Sequence, residues 1–243
     1  MKEPAPPSLT LIGTVHRDPG GAERLLLLLR RLHPDLLTLE MSEKALSYRL
    51  GEARRLQQRL DHILARLAGA LPAKLVDLQS HPAVADIRTL LALPFEYQAA
   101  AAYAAEFRVP LHLVDRCDIS AAKLQRVERE LITYRNLKTL VSLPAGVEKP
   151  SFDGYERAHA LITRDPGEPV RQAFLAGRRG EEGIGPRDHW MEGQIRRLLV
   201  EHRVAQLVHI GGWVHLVEDS RGETLYSLLA DLGPKRLLLA QEN

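Results

Sequence analysis

Two segments of the chain combine an apolar run, a glycine and a histidine three residues after that glycine. The first ends in Gly13 to His16, and the second ends in Gly212 to His215. Each apolar run predicts a buried strand, and a glycine at its end lets the chain turn sharply without a Cβ clash. Ligands of open α/β sheets bind at the carboxyl edge of the strands. We therefore expect both histidines to face a ligand at one edge of a sheet.

Carboxylates follow two further predicted strands. Glu40 closes the apolar run 36–39, and Asp115 follows the run 109–114. Parallel strands bring their carboxyl ends to one edge, so these groups can meet the two histidines although the sequence scatters them. Imidazoles and carboxylates bind Zn, Mn, Co or Fe, and such a metal would acidify a bound water for hydrolysis. We predict His16, Glu40 and His215 as metal ligands, with Glu40 as the third ligand or as the catalytic base.

Structural explanations remain open for each of these residues. A single histidine after a strand is more often a hydrogen-bonded turn residue than a ligand. Glu40 suits the N-terminus of the helix that follows it, Asp115 and Arg116 can form a local ion pair, and Trp213 can pack in the core. The occurrence of two Gly-x-x-His segments, each after a strand, favours a functional site.

The elements that must position these residues indicate an α/β fold. The chain begins with a strand over 8–15, a helix over 22–32 and a strand over 36–39, a unit that predicts parallel neighbours joined by a right-handed crossover. The leucine spacing over 42–70 predicts one long helix, and a long polar helix is expected over 119–140. An amphipathic helix over 187–202 precedes the second Gly-x-x-His strand, and a last strand is expected over 236–240. We predict a central, mostly parallel sheet flanked by helices, with a long helical insertion after the second strand.

The domain organisation is expected to be simple. A single domain over residues 1–243 is predicted, with a disordered proline-rich lead over 1–7. Residues 143–169 hold much of the proline and glycine and little periodicity, which predicts a loop or linker. The helix over 42–70 could also serve a homodimer contact.

Composition limits the classes of partner. The formal net charge is only +2, with arginine interleaved among acidic residues, so nucleic acid is not an expected partner. The sequence has no apolar run of the length that spans a bilayer, and no membrane partner is expected. Cys117 is the only cysteine, which excludes an intrachain disulfide, and we expect a cytoplasmic protein. The H-E-x-x-H, P-loop, G-x-S-x-G and G-x-G-x-x-G motifs are missing from the sequence.

An ordered series of short motifs resembles the TraB/PrgY family, which is related to the TIKI proteases and more distantly to the erythromycin esterase and ChaN-like proteins. The series spans residues 9–216 and consists of Gly13-Thr14-Val15-His16, Pro34-Asp35 with the strand ending in Glu40, Phe95-Glu96, Val114-Asp115-Arg116, Arg187-Asp188 with Met191, and Gly212-Trp213-Val214-His215. The resemblance implies an α/β fold and, in its TIKI branch, a metal-dependent peptidase. Other branches imply pheromone shutdown, ester hydrolysis or haem-iron binding.

The candidate catalytic residues, taken with this resemblance, are Glu40, Glu96, Asp115, Arg116, Arg187 and Asp188. In this interpretation Asp115 orients a histidine, and Arg116 and Arg187 hold a substrate carboxylate or the developing oxyanion. Trp213 is the candidate substrate-binding residue.

Three functions compete at this point. The first is a metal-dependent hydrolase, using Mn, Co or Zn, that cleaves a peptide or another small-molecule substrate. The second is a non-catalytic protein that sequesters a peptide or haem in a cleft lined by Trp213, Tyr97 and Tyr103. The third is a metal-free esterase in which His16 activates water and Glu40 orients it.

Overall fold

The computed structural model describes residues 7–143 and 153–239. The strands are β1 (Ser8–Thr14), β2 (Leu36–Leu39), β3 (Leu111–Leu113), β4 (Gln206–Gly212) and β5 (Lys235–Leu238). The helices are α1 (Gly21–Leu32), α2 (Glu43–Gly51), α3 (Ala53–Ala68), α4 (Leu75–Gln79), α5 (Pro82–Leu91), α6 (Phe95–Phe107), α7 (Cys117–Arg126), α8 (Tyr134–Ser142), α9 (Asp153–Ile162), α10 (Glu168–Ala176), α11 (Pro186–His202) and α12 (Leu225–Leu228). The α/β fold expected from the sequence is confirmed.

The contacts divide the chain into two compact units, which are described separately. Unit 1 comprises the described residues within 1–42, 95–116 and 151–243, and it contains all five strands. Unit 2 comprises those within 43–94 and 117–150 and is helical. The expectation of one domain over 1–243 stays a prediction, and residues 1–6 of the expected disordered lead lie outside the described residues.

The sheet of unit 1 is entirely parallel, in the order β3-β2-β4-β1-β5. The prediction that β1 and β2 are neighbours is wrong, because β4 lies between them and pairs with both. A strand-helix-strand unit fixes the direction and hand of its crossover, but it does not exclude a later strand from the space between its two strands. The pairing of β1 with β4 runs from Ser8↔Gln206 to Thr14↔Gly212, which places the two Gly-x-x-His segments side by side.

Apolar side chains on the sheet and its covering helices form the core of unit 1. The central strands β1 and β4 are buried on both faces, as expected for a parallel sheet covered by helices. One cluster joins Leu11 and Leu207 of these strands to Met191 and Ile195 of α11. A second cluster joins Ala158 of α9 to Leu175 of α10 and to Trp213. The strands therefore end against packed helices, which fixes the side chains that follow them.

Unit 2 packs around the amphipathic helix α3. Its leucines Leu56, Leu60, Leu64 and Leu67 are buried in one cluster with residues of α4, α5 and α8. The single helix expected over 42–70 is instead two helices, α2 and α3, which meet at Gly51, a residue of low helix propensity. The polar helix expected over 119–140 is also divided, since a π-helical turn (Val127–Leu131) separates α7 from α8. The polar pattern does not reveal this division.

The loop or linker expected over 143–169 is correct only in part. Residues 144–152 lie outside the described residues, whereas 153–162 form α9 and Glu168 begins α10. The buried residues Tyr155, Ala158 and Leu161 lie three apart, a helical spacing that the neighbouring prolines and glycines obscure. In the part of the chain that the structure describes, no helix has both the length and the apolar character needed to cross a membrane.

Candidate active site

The two Gly-x-x-His segments meet because of close packing at the ends of β1 and β4. After β4 the chain forms a 3-10 turn (Trp213–Leu216) that folds over Gly13. A Cβ at position 13 would lie 3.0 Å from the Trp213 Cα and from the Leu216 side chain, so only glycine permits this approach. The turn carries His215 back towards the sheet edge that His16 follows.

His16 is held by a buried carboxylate. Its Nδ1 lies 2.8 Å from Oε1 of Glu96, which is 4% exposed and also accepts a hydrogen bond from the Thr14 hydroxyl at 2.9 Å. A carboxylate accepts hydrogen bonds, so in the neutral His16 ring the Nδ1 carries the proton and the Nε2 lone pair is free. The His16 side chain is 61% exposed. An imidazole oriented by a carboxylate, with its other nitrogen accessible, is the arrangement of a general base.

The pKa of His16 is raised above its ordinary value of 6.5. The side of the His16 ring that lies against the protein is shielded from water, which disfavours the charged form and lowers the pKa. The hydrogen bond to Glu96 and the negative charges of Glu40 and Glu96 outweigh that effect. The base is therefore stronger than an ordinary histidine, and it takes up a proton at a higher pH.

Glu40 is the centre of a second, buried set of contacts. Its Oε1 accepts a hydrogen bond from the Arg187 Nη2 at 2.7 Å and lies 3.2 Å from the His215 Nε2, while its Oε2 accepts from the Gly212 N–H at 2.7 Å. Burial by itself would raise the pKa of Glu40, but the charges of His215 and Arg187 hold that pKa well below its usual value. Glu40 is therefore ionised throughout the physiological range.

Arg187 connects the first turn of α11 to the ends of two strands. Besides Glu40, its guanidinium binds both carboxylate oxygens of Asp115, through Nε at 3.0 Å and Nη2 at 2.8 Å. Bidentate contacts of this kind fix the guanidinium in one orientation. Because Asp115 binds Arg187, it does not orient either histidine of the site directly.

His215 is a buried cation between two carboxylates. Its Nδ1 donates to Asp188 Oδ1 at 2.7 Å, and its Nε2 faces Glu40. Burial disfavours the charge of the ring, but Asp188 and Glu40 raise the pKa of His215 to about 10 through their charges and hydrogen bonds. Asp188 is fully buried, and the backbone N–H of Leu225 also donates to its Oδ1, at 2.7 Å. His215 therefore keeps its proton at neutral pH.

Gly212 lies between His16 and Glu40. A Cβ at this position would be 2.9 Å from the His16 Nε2 and 3.5 Å from the Glu40 Oε2. The free nitrogen of the base and the ionised carboxylate thus both reach the space over one glycine. A small polar molecule that approaches this glycine meets a hydrogen-bond acceptor from each side chain.

The three side chains predicted as metal ligands do lie together, but the donor atoms of Glu40 and His215 already have protein partners. Both Glu40 oxygens accept from protein donors, one of them the Arg187 guanidinium, and both His215 nitrogens face carboxylates. A divalent ion at Glu40 would lie against the positive charge of Arg187. Within the described ranges, no group of three or more His, Cys, Asp or Glu side chains is arranged to hold a metal ion. As arranged, these side chains do not form a metal site.

Two other predicted residues contact side chains that are not among the predicted site residues. The Arg116 guanidinium lies 3.4 Å from Glu181, a side chain that is 79% exposed. Trp213 is 8% exposed and stacks on Phe174, with ring centroids 5.2 Å apart. The Trp213 ring thus belongs to the apolar core beside the site.

His209, which the sequence pattern does not single out, also adjoins the site. It is fully buried in β4, its Nδ1 lies 3.0 Å from the Thr38 hydroxyl, and its Nε2 has no hydrogen-bond partner among the described residues. A Cβ at Gly211 would lie 2.9 Å from both the His209 Nε2 and the Glu40 Oε2, so these two groups flank one glycine. Burial lowers the pKa of His209 to about 4, which keeps it neutral. Its position on the same strand face as Gly211 is the sequence signal that would have revealed it.

Tyr155 was also missed, because it lies in the stretch predicted as a loop. Its hydroxyl accepts from the Val15 N–H at 3.3 Å and donates to the Asp18 carboxylate at 3.1 Å, so it contacts the chain on both sides of His16. Comparisons of the chain with protein-family models, with curated proteins and with solved structures found no match to any of them.

Proposed function

We propose that the protein is a hydrolase of carboxylic esters or amides that activates water with His16 and without a resident metal. The observation that carries the proposal is the pair formed by His16 and the buried Glu96, with the free Nε2 of His16 beside Gly212 and Glu40. The fixed tautomer and the raised pKa are properties that general bases have in enzymes.

The chemistry follows from the positions of the protons. The His16 Nε2 removes one proton from a water molecule, and the water oxygen forms a bond to the carbonyl carbon of the substrate while the π electron pair of the C=O bond moves to its oxygen; that pair re-forms the C=O bond when the leaving group departs. The bond from that carbon to the leaving oxygen or nitrogen then breaks, and the leaving atom takes the proton from His16. Glu40 accepts the second hydrogen of the water and so orients it.

The buried cations have a supporting role in this scheme. Arg187 and protonated His215 keep Glu40 ionised, so it accepts hydrogen bonds and does not take the proton itself. Asp115 and Asp188 balance those two cations. His16 is then the group that gains and loses a proton during turnover.

The proposal is tested with protein purified without a polyhistidine tag, on 4-nitrophenyl acetate and on an amino-acid 4-nitroanilide. We expect hydrolysis of at least one of them to survive exhaustive chelation. His16→Ala should lower kcat by about 10²- to 10⁴-fold, the usual contribution of a general base. His189→Ala is the matched control, since His189 is an exposed histidine next to Asp188.

Two results would contradict the proposal. One is activity that disappears on chelation and returns with Mn, Co or Zn, which would establish a metal mechanism. The other is equal activity of the His16→Ala and His189→Ala variants, which would assign any hydrolysis to surface histidines.

A further inference from the structure

Arg157 and Arg178 differ from two arginines near them in the sequence, which bind carboxylates. Arg179 binds Asp219 and Glu223, and Arg171 binds Asp165. Within the described residues, neither Arg157 nor Arg178 has a carboxylate within 4.0 Å. No described carboxylate therefore neutralises the charge of Arg157 or of Arg178.

Arg178 is held in place by aromatic stacking. Its Cζ lies 3.7 Å from the centroid of the Phe174 ring, and that ring stacks on Trp213. Its Nη1 donates to the Phe174 carbonyl at 2.8 Å. A guanidinium has five N–H donors, so most of them stay free on a group that is already oriented. An oriented fork of this kind suits a carboxylate or phosphate, because little side-chain entropy is lost on binding.

Arg157 lies close enough to Arg178 for their like charges to interact. That repulsion acts with burial to lower the pKa of Arg178. Repulsion between uncompensated cations destabilises the protein unless an anion binds between them, so the pair attracts anions.

The arginine pair is connected to the catalytic centre through one apolar cluster. The cluster contains Val15, the residue before His16, and Trp213, the residue after Gly212. Arg157 lies one helical turn after Gly154, and a Cβ at Gly154 would lie 2.8 Å from the Val15 side chain. Arg157 lies on α9 and Arg178 follows α10, and both helices therefore pack against the residues next to His16 and Gly212.

We propose that Arg157 and Arg178 bind an anionic group of the substrate, a carboxylate or a phosphate. This inference rests on the proposed function, because it assigns a substrate class to the same centre. The substrate is then an ester or amide that carries a negative charge on one side of the scissile bond.

Calorimetric titration of the full chain at low ionic strength tests the binding step, with benzoate and inorganic phosphate as anions and benzamide as the neutral control. We expect the wild type to bind at least one anion and not benzamide, and the stronger of the two anions identifies the group. Arg178→Gln should weaken that binding at least tenfold, and Arg178→Lys, which keeps the charge without the fork, should weaken it less. Arg197→Gln, at an exposed arginine of α11, is the matched control and should bind as the wild type does.

Hydrolysis links the anion to catalysis. Arg178→Gln and Arg157→Gln should raise KM for the 4-nitrophenyl monoester of succinate several-fold more than KM for 4-nitrophenyl acetate, whereas Arg197→Gln should change neither constant. Circular dichroism checks that each variant is folded, and Arg157→Gln provides the test if the Arg178 variants are not.

The outcomes separate the inference from the proposed function. His16→Ala should abolish hydrolysis and leave anion binding intact. If anion binding depends on Arg178 but His16→Ala hydrolyses both esters normally, the proposed function fails and the anion site stands. If hydrolysis needs His16 but neither anion affinity nor KM responds to the arginine variants, the inference is overturned and the proposed function stands.

Discussion

The proton on His215 should make the folded protein lose stability as the pH rises above neutrality. The ordinary pKa of 6.5 applies to this histidine in the unfolded chain, whereas Asp188 and Glu40 raise the pKa to about 10 in the folded protein. The stabilising contribution of a group with a raised pKa is fully present below pH 6.5 and is lost progressively as the pH approaches 10. Within that window a single proton corresponds to a slope of about 1.4 kcal/mol per pH unit in the free energy of unfolding.

Urea denaturation followed by circular dichroism from pH 6 to pH 9.5 measures this slope. The comparison is between the wild type and His215→Gln, with His189→Gln as the control. At pH 6.5 we expect His215→Gln to be destabilised by roughly 3–5 kcal/mol, because Asp188 and Glu40 lose a buried cation. That difference from the wild type should shrink as the pH rises. Asp188→Asn removes one of the charges that raise the pKa of His215, so it should narrow the pH range over which stability is lost. This variant provides the test if His215→Gln does not fold.

Parallel curves for the wild type and His215→Gln across the whole range would refute this account of the buried cation. So would a wild-type stability that increases with pH when Zn or Mn is added, because a metal competes with protons for imidazole nitrogen. The same titration therefore distinguishes a proton from a metal at His215.

Three further predictions concern the groups around His16 and Glu40. The rate of hydrolysis should rise with pH above 6.5, since His16 must lose its proton to act as a base. In steady-state kinetics, Glu96→Gln should shift this rise to lower pH. Gly212→Ala should abolish most activity while changing the free energy of unfolding by less than about 1 kcal/mol. The backbone at 212 is extended (φ −62°), so the added methyl group disturbs only the 2.9 Å approach to the His16 Nε2. Gly193→Ala, in open space on α11, is the control. The wild type should lose stability as the pH falls from 6.5 to 4, because the folded His209 ring stays neutral there while the unfolded chain takes up a proton. His209→Gln should reduce this loss, and urea titration at low pH measures the difference.

Much of the fold could be predicted from local sequence signals. The apolar run before Gly13 predicted β1 to within one residue, the run before Glu40 predicted the bounds of β2, and the run before Gly212 predicted the presence of β4. The order of the strands could not be predicted in this way. The insertion of β4 between β1 and β2 depends on pairing between residues about 200 positions apart, and no local pattern encodes that choice.

The candidate site shows the same limit. That His16, Glu40 and His215 lie at one sheet edge follows from parallel strands alone. Which nitrogen each histidine uses depends on Glu96 and Asp188, carboxylates on the first turns of α6 and α11, and only the family resemblance pointed to them. The commitment of Glu40 to Arg187, which argues against a metal, is a contact between side chains 147 positions apart, and spacing cannot reveal it.

The strand order also has a consequence for synthesis of the protein. Among the described strands, β1 pairs only with β4 and β5, both of which are made late. While the ribosome is still translating the segment before residue 206, β1 has no strand to join and its apolar side chains must be sheltered in another way. Nascent chains arrested before and after β4 should therefore differ sharply in protease resistance at their N-termini.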